Sequence, residues 1–531
     1  MKADNYALKQ VKTEIRDGEN NLALYDIAYS VNRDNFQRCL NKIKSTHGTD
    51  ILFLPLSGAS AGGGVFQARP ISEKPIVGLQ FSTTPQPRIE CGDSKRLANI
   101  ALDEIVIDRK RREISAGAGI TLDQLNQALK ENLGYEYRVL GADLTSYTYA
   151  QVGATFMTGG MGPQRRYFSD SVIEITLYNG EDIILVQGAD LLGYAGTYGW
   201  SGLITAVKCR FHRLPRNEIA FALPVNNSPT GLASLLEHFA PYCFLKTSDE
   251  LLTTTSGSTN IVLGLEHITI SSMQPFLESS ADQRALTRAQ NLLENCKRSN
   301  ADGLIFVNGY SNLDADEFLM GIIDNNDDDT LTICGIDLEN TEVFKDADEM
   351  RQLREAVPYA ARTQEPSGKF VYKNHCDANI RLNPNMVTHD METLWRINMS
   401  YVSKVNDHLS STENLLGSIL IYGHMNPYGV DPHNRVTFAT NDQSIFETAK
   451  YQIGKLRDDY YRQLNAFCQE AGSEFIGGEK GADSEHKMYA AFNGVGAAPQ
   501  LMRDKFGLQA RKIQNASTKF SWRAFSPYLR N

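Results

Sequence analysis

The feature that most restricts this chain is a run of eight consecutive residues drawn only from serine, glycine and alanine: Ser57, Gly58, Ala59, Ser60, Ala61, Gly62, Gly63 and Gly64. It follows directly on Ile51-Leu52-Phe53-Leu54-Pro55-Leu56, an apolar run that reads as a short buried strand. With no side chains in the way, successive backbone N–H groups of such a loop can close on an anion, above all a pyrophosphate. The run does not fit the nicotinamide-nucleotide pattern, in which the glycines open a helix. Here Val65-Phe66-Gln67-Ala68-Arg69-Pro70 follows, and Pro70 opposes a helix. Alone, the loop is equally a structural turn of small residues.

Two further segments of the same texture follow in order. The second is Gly141-Ala142-Asp143-Leu144-Thr145-Ser146, continued by Val152-Gly153-Ala154-Thr155 and Thr158-Gly159-Gly160-Met161-Gly162. The third is Gly196-Thr197-Tyr198-Gly199-Trp200-Ser201-Gly202-Leu203-Ile204-Thr205. Between them strands and helices mix. Residues 32–47 read as a helix with Phe36, Leu40 and Ile43 on one face, and 104–108 and 113–116 as strands. Thr121 caps a helix running to Lys130, with Leu122, Leu125 and Leu129 as its apolar stripe. Residues 171–178 and 182–186 flank Asn179-Gly180, a hairpin signal.

Around Pro215 the texture changes. Residues 219–271 and 304–382 mix strands with helices such as 282–298; a strand over 419–422 leads to Gly423-His424; a helix over 444–471 precedes the glycine cluster 477–481. The acidic loop 324–329 lacks the Gly and Glu of a calcium loop and is given no metal role.

Composition narrows the functional classes. A chain of 531 residues exceeds one ordinary core and accommodates about three domain-sized units. The formal charge of −10 disfavours a nucleic-acid partner but leaves room for a local cationic pocket. The first residues lack a secretory signal, and no apolar run is long enough to span a bilayer, so a cytoplasmic location without a transmembrane segment is expected. The eight cysteines include no Cys-x-x-Cys pair and read as reduced thiols.

In order and spacing, the three glycine segments resemble the FAD-binding domain of the vanillyl-alcohol oxidase superfamily, the PCMH-type flavoproteins, over about residues 27–214. The third segment matches that family's pattern position for position. The resemblance implies that Ser57, Gly58, Ala59, Ser60, Ala61 and Gly62 cradle the pyrophosphate. It further implies that Gly141, Asp143, Gly153, Thr155, Gly159 and Gly160 pass the flavin, while Gly199, Gly202 and Ile204 close over it. Many members tether the flavin through a histidine in or near the first loop. No histidine lies between His47 and His212, and Cys91 falls outside the matched loops, so non-covalent FAD is expected.

The second half is similar to the FAD-linked D-2-hydroxy acid dehydrogenases, which act on D-lactate, glycolate or D-2-hydroxyglutarate. The matching residues are Leu353-Arg354-Glu355-Ala356-Val357, Val371-Tyr372-Lys373 followed by Asp377, Tyr422-Gly423-His424, and Gly477-Gly478-Glu479. The resemblance implies that Arg354 and Lys373 bind a substrate carboxylate, and that His424 and Glu479, with His433, ligate a divalent metal such as zinc or manganese. Such a metal would lower the pKa of the substrate hydroxyl. The chain departs from the pattern: His433 comes two residues late and the Gly-Asp-Gly-Asn turn is absent. Lys480 stands where the family has its basic histidine, and a lysine is a poor base at neutral pH unless its pKa is lowered. His433 or His486 are the alternatives for that role. Bland readings stand beside these: Arg354 and Lys373 as surface charges, His424 as a satisfied core histidine.

The expected fold class is α+β, with an N-terminal extension (1–26), a two-subdomain PCMH-type FAD-binding domain (27–216), a substrate or cap domain (217–430) and a C-terminal segment completing the active site (431–531). The expected activity is FAD-dependent oxidation of an alcohol, best a 2-hydroxy carboxylic acid. The alternatives are a sugar or aldonolactone oxidase and a flavin-binding protein with a decayed catalytic pocket. The expected partners are a small-molecule substrate and a separate electron acceptor or oxygen, since no iron–sulfur cysteine cluster and no second nucleotide motif occur. A homo-oligomer is compatible with the sequence.

Overall fold

The computed structural model describes residues 9–11, 14–16, 22–24, 27–31, 36–48, 52–56, 76–81, 86–144, 147–158, 160, 162, 168–178, 182–195, 203–240, 260–280, 282–324, 340–363, 366–383, 388–426 and 429–477. Contacts divide the chain into two compact units, with the main boundary between His212 and Arg213.

Among the described residues, the first unit holds two larger sheets beside short two-stranded pairs. The smaller has four strands in the order Lys9–Val11, Ile27–Val31, Ile76–Phe81, Leu52–Leu56. The last three run parallel, and Lys9–Val11 pairs antiparallel to Ile27–Val31, so part of the expected N-terminal extension joins this sheet. Parallel neighbours need a crossover, and the helix Phe36–His47 supplies one between Ile27–Val31 and Leu52–Leu56. The larger sheet has six strands in the order Ile183–Gln187, Val172–Tyr178, Leu203–Arg210, Glu113–Gly117, Glu104–Asp108, Arg88–Cys91. The 172–178 and 183–187 strands form the antiparallel hairpin the sequence signals.

The helix Leu122–Leu133 begins where Thr121 predicts. Thr121 accepts from the Gln124 N–H, and the Gln124 side chain accepts from the Thr121 N–H, which satisfies two otherwise orphaned donors. Its Leu122, Leu125 and Leu129 are fully buried.

The second unit is built on a nine-stranded sheet. Its path is Glu342–Val343, Asn217–Val225, Gly303–Ser311, Asn260–Thr269, Leu416–Asn426, Gly429–Thr440, Asn379–Arg381, Glu474–Gly477, and Phe370–Asp377 also pairs with Gly429–Thr440. Strand alternation sends successive side chains to opposite faces. One face is apolar: Phe221, Leu265, Val307, Ile419, Ile421, Val436 and Phe438 pack with the helices Pro229–Phe239, Thr388–Ser411 and Gln443–Ala471. On the other, Ala220, Ala222, Ile268 and Phe306 pack with the helices Ile270–Ser279, Gln283–Arg298 and Ala347–Thr363. That second face turns polar toward the Leu416–Asn426 and Gly429–Thr440 strands, where the candidate site lies.

The strand expected over 419–422 extends from Leu416 to Asn426, so Gly423-His424 lies inside a strand rather than in a loop beyond it. Gly423 permits this, because a Cβ there would stand 2.3 Å from the Asp431 carbonyl oxygen of the neighbouring strand. No described helix is long and apolar enough to cross a membrane. Cys91, Cys209, Cys296, Cys376 and Cys468 are free thiols, and burial pushes that of Cys296 up to about 12.

Candidate active site

Register fixes which side chains share the polar face. Glu266, His424 and Asp431 occupy one row across three adjacent strands, and Tyr422 and His433 occupy the next. Leu420 and Arg435 follow, then Ser418 and Thr437, with Lys373 paired to Thr437 from the far side. The intervening residues belong to the opposite face: Leu265, Met425 and Val430 lie in its apolar core, and Tyr372 stacks on Phe438 with ring centroids 4.6 Å apart.

Over the first row the helix Ala347–Thr363 presents Arg351 and Arg354, one turn apart on the same side. Arg351 pairs with Glu218 and Asp348. Arg354 Nε stands 3.3 Å from Glu266 Oε2, and His424 Nδ1 stands 3.8 Å from the same oxygen. His433 Nε2 lies 3.7 Å from Asp431 Oδ2. The two imidazoles meet edge to face at 5.0 Å between centroids, and Tyr422 stacks on His433 at 5.2 Å. Each of these ionisable groups is closed to water: relative exposure is 1% for Arg354, 0% for Glu266, 2% for His424, 0% for Asp431 and 1% for His433. Burying so many ionisable groups is costly unless they compensate one another, and such clusters concentrate at functional sites.

Among the residues expected from sequence, Arg354, His424 and His433 are thus brought together. Lys373 is not among them. It sits in the row of Thr437, six residues along the strand from Asp431, which is roughly 20 Å of extended chain. It is also three strand spacings from Glu266, roughly 14 Å across the sheet. Glu479 and Lys480 lie outside the described residues, as does His486.

The metal expectation finds no support. Among the described residues, no group of three or more His, Cys, Asp or Glu side chains is arranged to hold a metal ion. His424 Nδ1 and His433 Nε2 each stand within 4 Å of a carboxylate oxygen, of Glu266 and Asp431 respectively, and Glu479, the third expected ligand, lies outside the described residues.

Sequence reasoning missed Glu266, Asp431 and Arg435. Each left a signal. Glu266 is the one acid in Val262-Leu263-Gly264-Leu265-Glu266-His267-Ile268, at a position that alternation sends to a packed face. Asp431 and Arg435 stand two residues before and after His433, the strand period, though Pro432 disguises the segment as a loop.

In the first unit, the described flavin-segment residues shape the packing around the helix Val152–Thr158. A Cβ on Gly153 would lie 3.0 Å from Ala118 Cβ and 3.3 Å from Ile204 Cγ2, so its absence lets the helix approach the sheet. The Thr155 hydroxyl donates to the Gln151 carbonyl at 2.8 Å, and Gly160 N donates to the Thr155 carbonyl at 2.9 Å. Gly141 has φ +73°, a conformation that favours glycine, and Asp143 is half-buried just after it. Ser57, Gly58, Ala59, Ser60, Ala61, Gly62, Gly159, Gly199 and Gly202 lie outside the described residues. The strands that deliver them are described: Leu52–Leu56 ends just before Ser57, and Leu203–Arg210 starts just after Gly202. A donor set of loop backbones and short side chains fits a dinucleotide pyrophosphate.

Comparison with known proteins agrees with this reading of the first unit. Residues 96–185 match the family described as the FAD binding domain. The chain therefore contains an FAD-binding domain of the PCMH type, within a mixed fold of helices and sheets. Two solved structures of alkyldihydroxyacetonephosphate synthase share the fold. One, in a P1 crystal form, has a TM-score of 0.55 at 13% identity and covers 94% of this chain and 76% of that one. The other, in P212121, has a TM-score of 0.54 at 13% identity and covers 86% and 72%. No curated protein matches at the level of sequence.

Proposed function

We propose that the chain is an FAD-dependent oxidoreductase acting on an alcohol, best a 2-hydroxy carboxylic acid, and that the polar face of the second unit's sheet holds the substrate. The observation that supports this most is the water-excluded set Glu266, Arg354, His424, Asp431 and His433, gathered from three strands and one helix. FAD, when bound, supplies the two-electron acceptor. The substrate loses a hydride from its hydroxyl-bearing carbon and a proton from the hydroxyl, leaving the 2-oxo acid. An imidazole of the His424–His433 pair takes that proton, and the carboxylate beside it, Glu266 or Asp431, stabilises the imidazolium formed. Arg354 and Lys373 serve as cations for substrate anions at separate places on the face. Electrons leave to a separate acceptor or to oxygen.

The test is turnover of a dye acceptor by the FAD-loaded chain with 2-hydroxy acids, aldonolactones and aldoses offered side by side. The reading expects the hydroxy acids to be oxidised and His433→Ala to lower kcat by about 10²–10⁴-fold, the range for loss of a general base. Preference for a lactone or sugar would favour the aldonolactone alternative. Flavin binding with no turnover of any of them would favour a decayed pocket.

A further inference from the structure

The strands Glu104–Asp108 and Glu113–Gly117 form a hairpin whose last register pair is Asp108 with Glu113. The turn between them is Arg109-Lys110-Arg111-Arg112, four consecutive cations, all exposed, in a chain whose formal charge is −10. Arg111 Nε lies 3.8 Å from Asp108 Oδ2, while Arg109, Lys110 and Arg112 have no carboxylate partner among the described residues. The turn is firmly held. The Asp108 carboxylate accepts from Arg111 N and from Ser94 N and Oγ, each at 2.9 Å, and the Arg112 carbonyl accepts from Phe211 N at 3.0 Å. Arg112 has φ +56°. The other described non-glycine residues with positive φ are Asn300 and Asn414, and asparagine tolerates that region where arginine does not. A cation is thus kept at a position where the backbone favours glycine or asparagine. Arg210, opposite Glu113 on the next strand, adds a half-buried charge at the same end of the sheet.

Geometry and charge select among anionic partners. Side chains of four successive residues around a tight turn diverge, which does not suit one small anion. An anionic bilayer would meet the cations, but also the exposed Asp93 beside Ser94 and the acidic excess of the whole chain, and the turn holds no apolar side chain to insert. The same acidic excess opposes nucleic acid. A local cluster of carboxylates on another protein meets the four cations without engaging the rest of the surface. We propose that Arg109–Arg112 is a docking surface for a partner protein that presents such an acidic cluster. The ordered turn holds its cations in place before the partner arrives, so little backbone ordering opposes association. Exposed charge contacts steer and select a partner more than they add affinity, so binding is weak and sensitive to salt.

The experiment is fluorescence anisotropy of a labelled oligoglutamate peptide titrated with the FAD-loaded full-length chain, at low and at physiological ionic strength. Wild type should bind the peptide at low ionic strength and lose most of that binding at physiological salt. Arg109→Gln with Lys110→Gln should weaken binding roughly tenfold, within the range for two exposed charge contacts. Arg112→Asn should weaken it without unfolding the chain, because asparagine accepts the positive φ. Lys345→Gln with Lys450→Gln, two exposed cations of the second unit, should leave it unchanged. Vesicles of phosphatidylserine and phosphatidylcholine, and a DNA duplex, are offered in parallel. No peptide binding by wild type, undiminished binding in the turn variants, or an equal loss in the Lys345→Gln, Lys450→Gln protein would each overturn the docking surface. Turn-dependent binding to the vesicles or the duplex that exceeds binding to the peptide would overturn it in favour of a lipid or nucleic-acid surface.

Discussion

Removing Glu266 separates a structural account of the buried cluster from a functional one. Glu266 and Arg354 are 3.3 Å apart and at most 1% exposed, so the weak range measured for surface ion pairs does not apply. Deleting one partner of a buried pair leaves an uncompensated charge and costs about 3–5 kcal/mol. At 1.36 kcal/mol per decade, that corresponds to roughly two to four orders of magnitude in the local opening equilibrium. Hydrogen exchange of the Asn260–Thr269 and Leu416–Asn426 amides reads this directly, because those strands carry Glu266 and His424 side by side. Glu266→Ala should accelerate exchange there by that factor. The double variant Glu266→Leu, Arg354→Met removes both charges and should return exchange to within about tenfold of wild type, since apolar replacement of a buried pair is often neutral. It should still lack oxidation activity. Unchanged exchange in Glu266→Ala would refute the pairing, and a fully active double variant would reduce the pair to packing.

Other consequences are more local. His267 is fully buried, hydrogen-bonded to Asn227 and packed against Trp395, and burial lowers its pKa from 6.5 to about 4. The unfolded chain then binds the extra proton first, so stability present above pH 6.5 should fall by about 3 kcal/mol as pH drops toward 4. His267→Leu should flatten that part of a pH series of urea midpoints, and an unaltered slope would contradict the assignment. A Cβ on Gly117 would meet the Ala101 carbonyl oxygen at 2.1 Å, a backbone atom that cannot swing aside. Gly117→Ala should therefore cost about 1–3 kcal/mol and lower flavin retention, and unchanged melting with full flavin content would count against it. Acid precipitation of the purified chain should release its flavin as FAD into the supernatant; flavin that stays with the pellet would show a covalent tether.

Local chemistry made much of the fold legible. Thr121 announces its helix through a reciprocal cap, and the Asn179-Gly180 hairpin follows from alternation on either side of a turn. Long-range pairing was not legible. Glu266 and His424 are neighbours only because the Asn260–Thr269 strand lies beside Leu416–Asn426, a contact across more than 150 positions of sequence that no local propensity encodes. Family likeness pointed to His424 and Arg354, which do meet, but it also joined Lys373 to Arg354, which the register sets apart. The acids beside the histidines stayed hidden because an isolated Glu or Asp in a strand resembles a solvent-facing residue until both faces are seen to be covered.

The central claim is that a hydroxy acid delivers a hydride to FAD bound by this chain. The most direct measurement is anaerobic mixing of the FAD-loaded protein with D- and L-2-hydroxy acids while the oxidised flavin absorbance is followed in a stopped-flow instrument. The account expects rapid bleaching with one enantiomer, one equivalent of 2-oxo acid per flavin, and a greatly slowed rate in His433→Ala. Flavin that stays oxidised with every hydroxy acid, in protein shown to be folded and loaded with FAD, would contradict it.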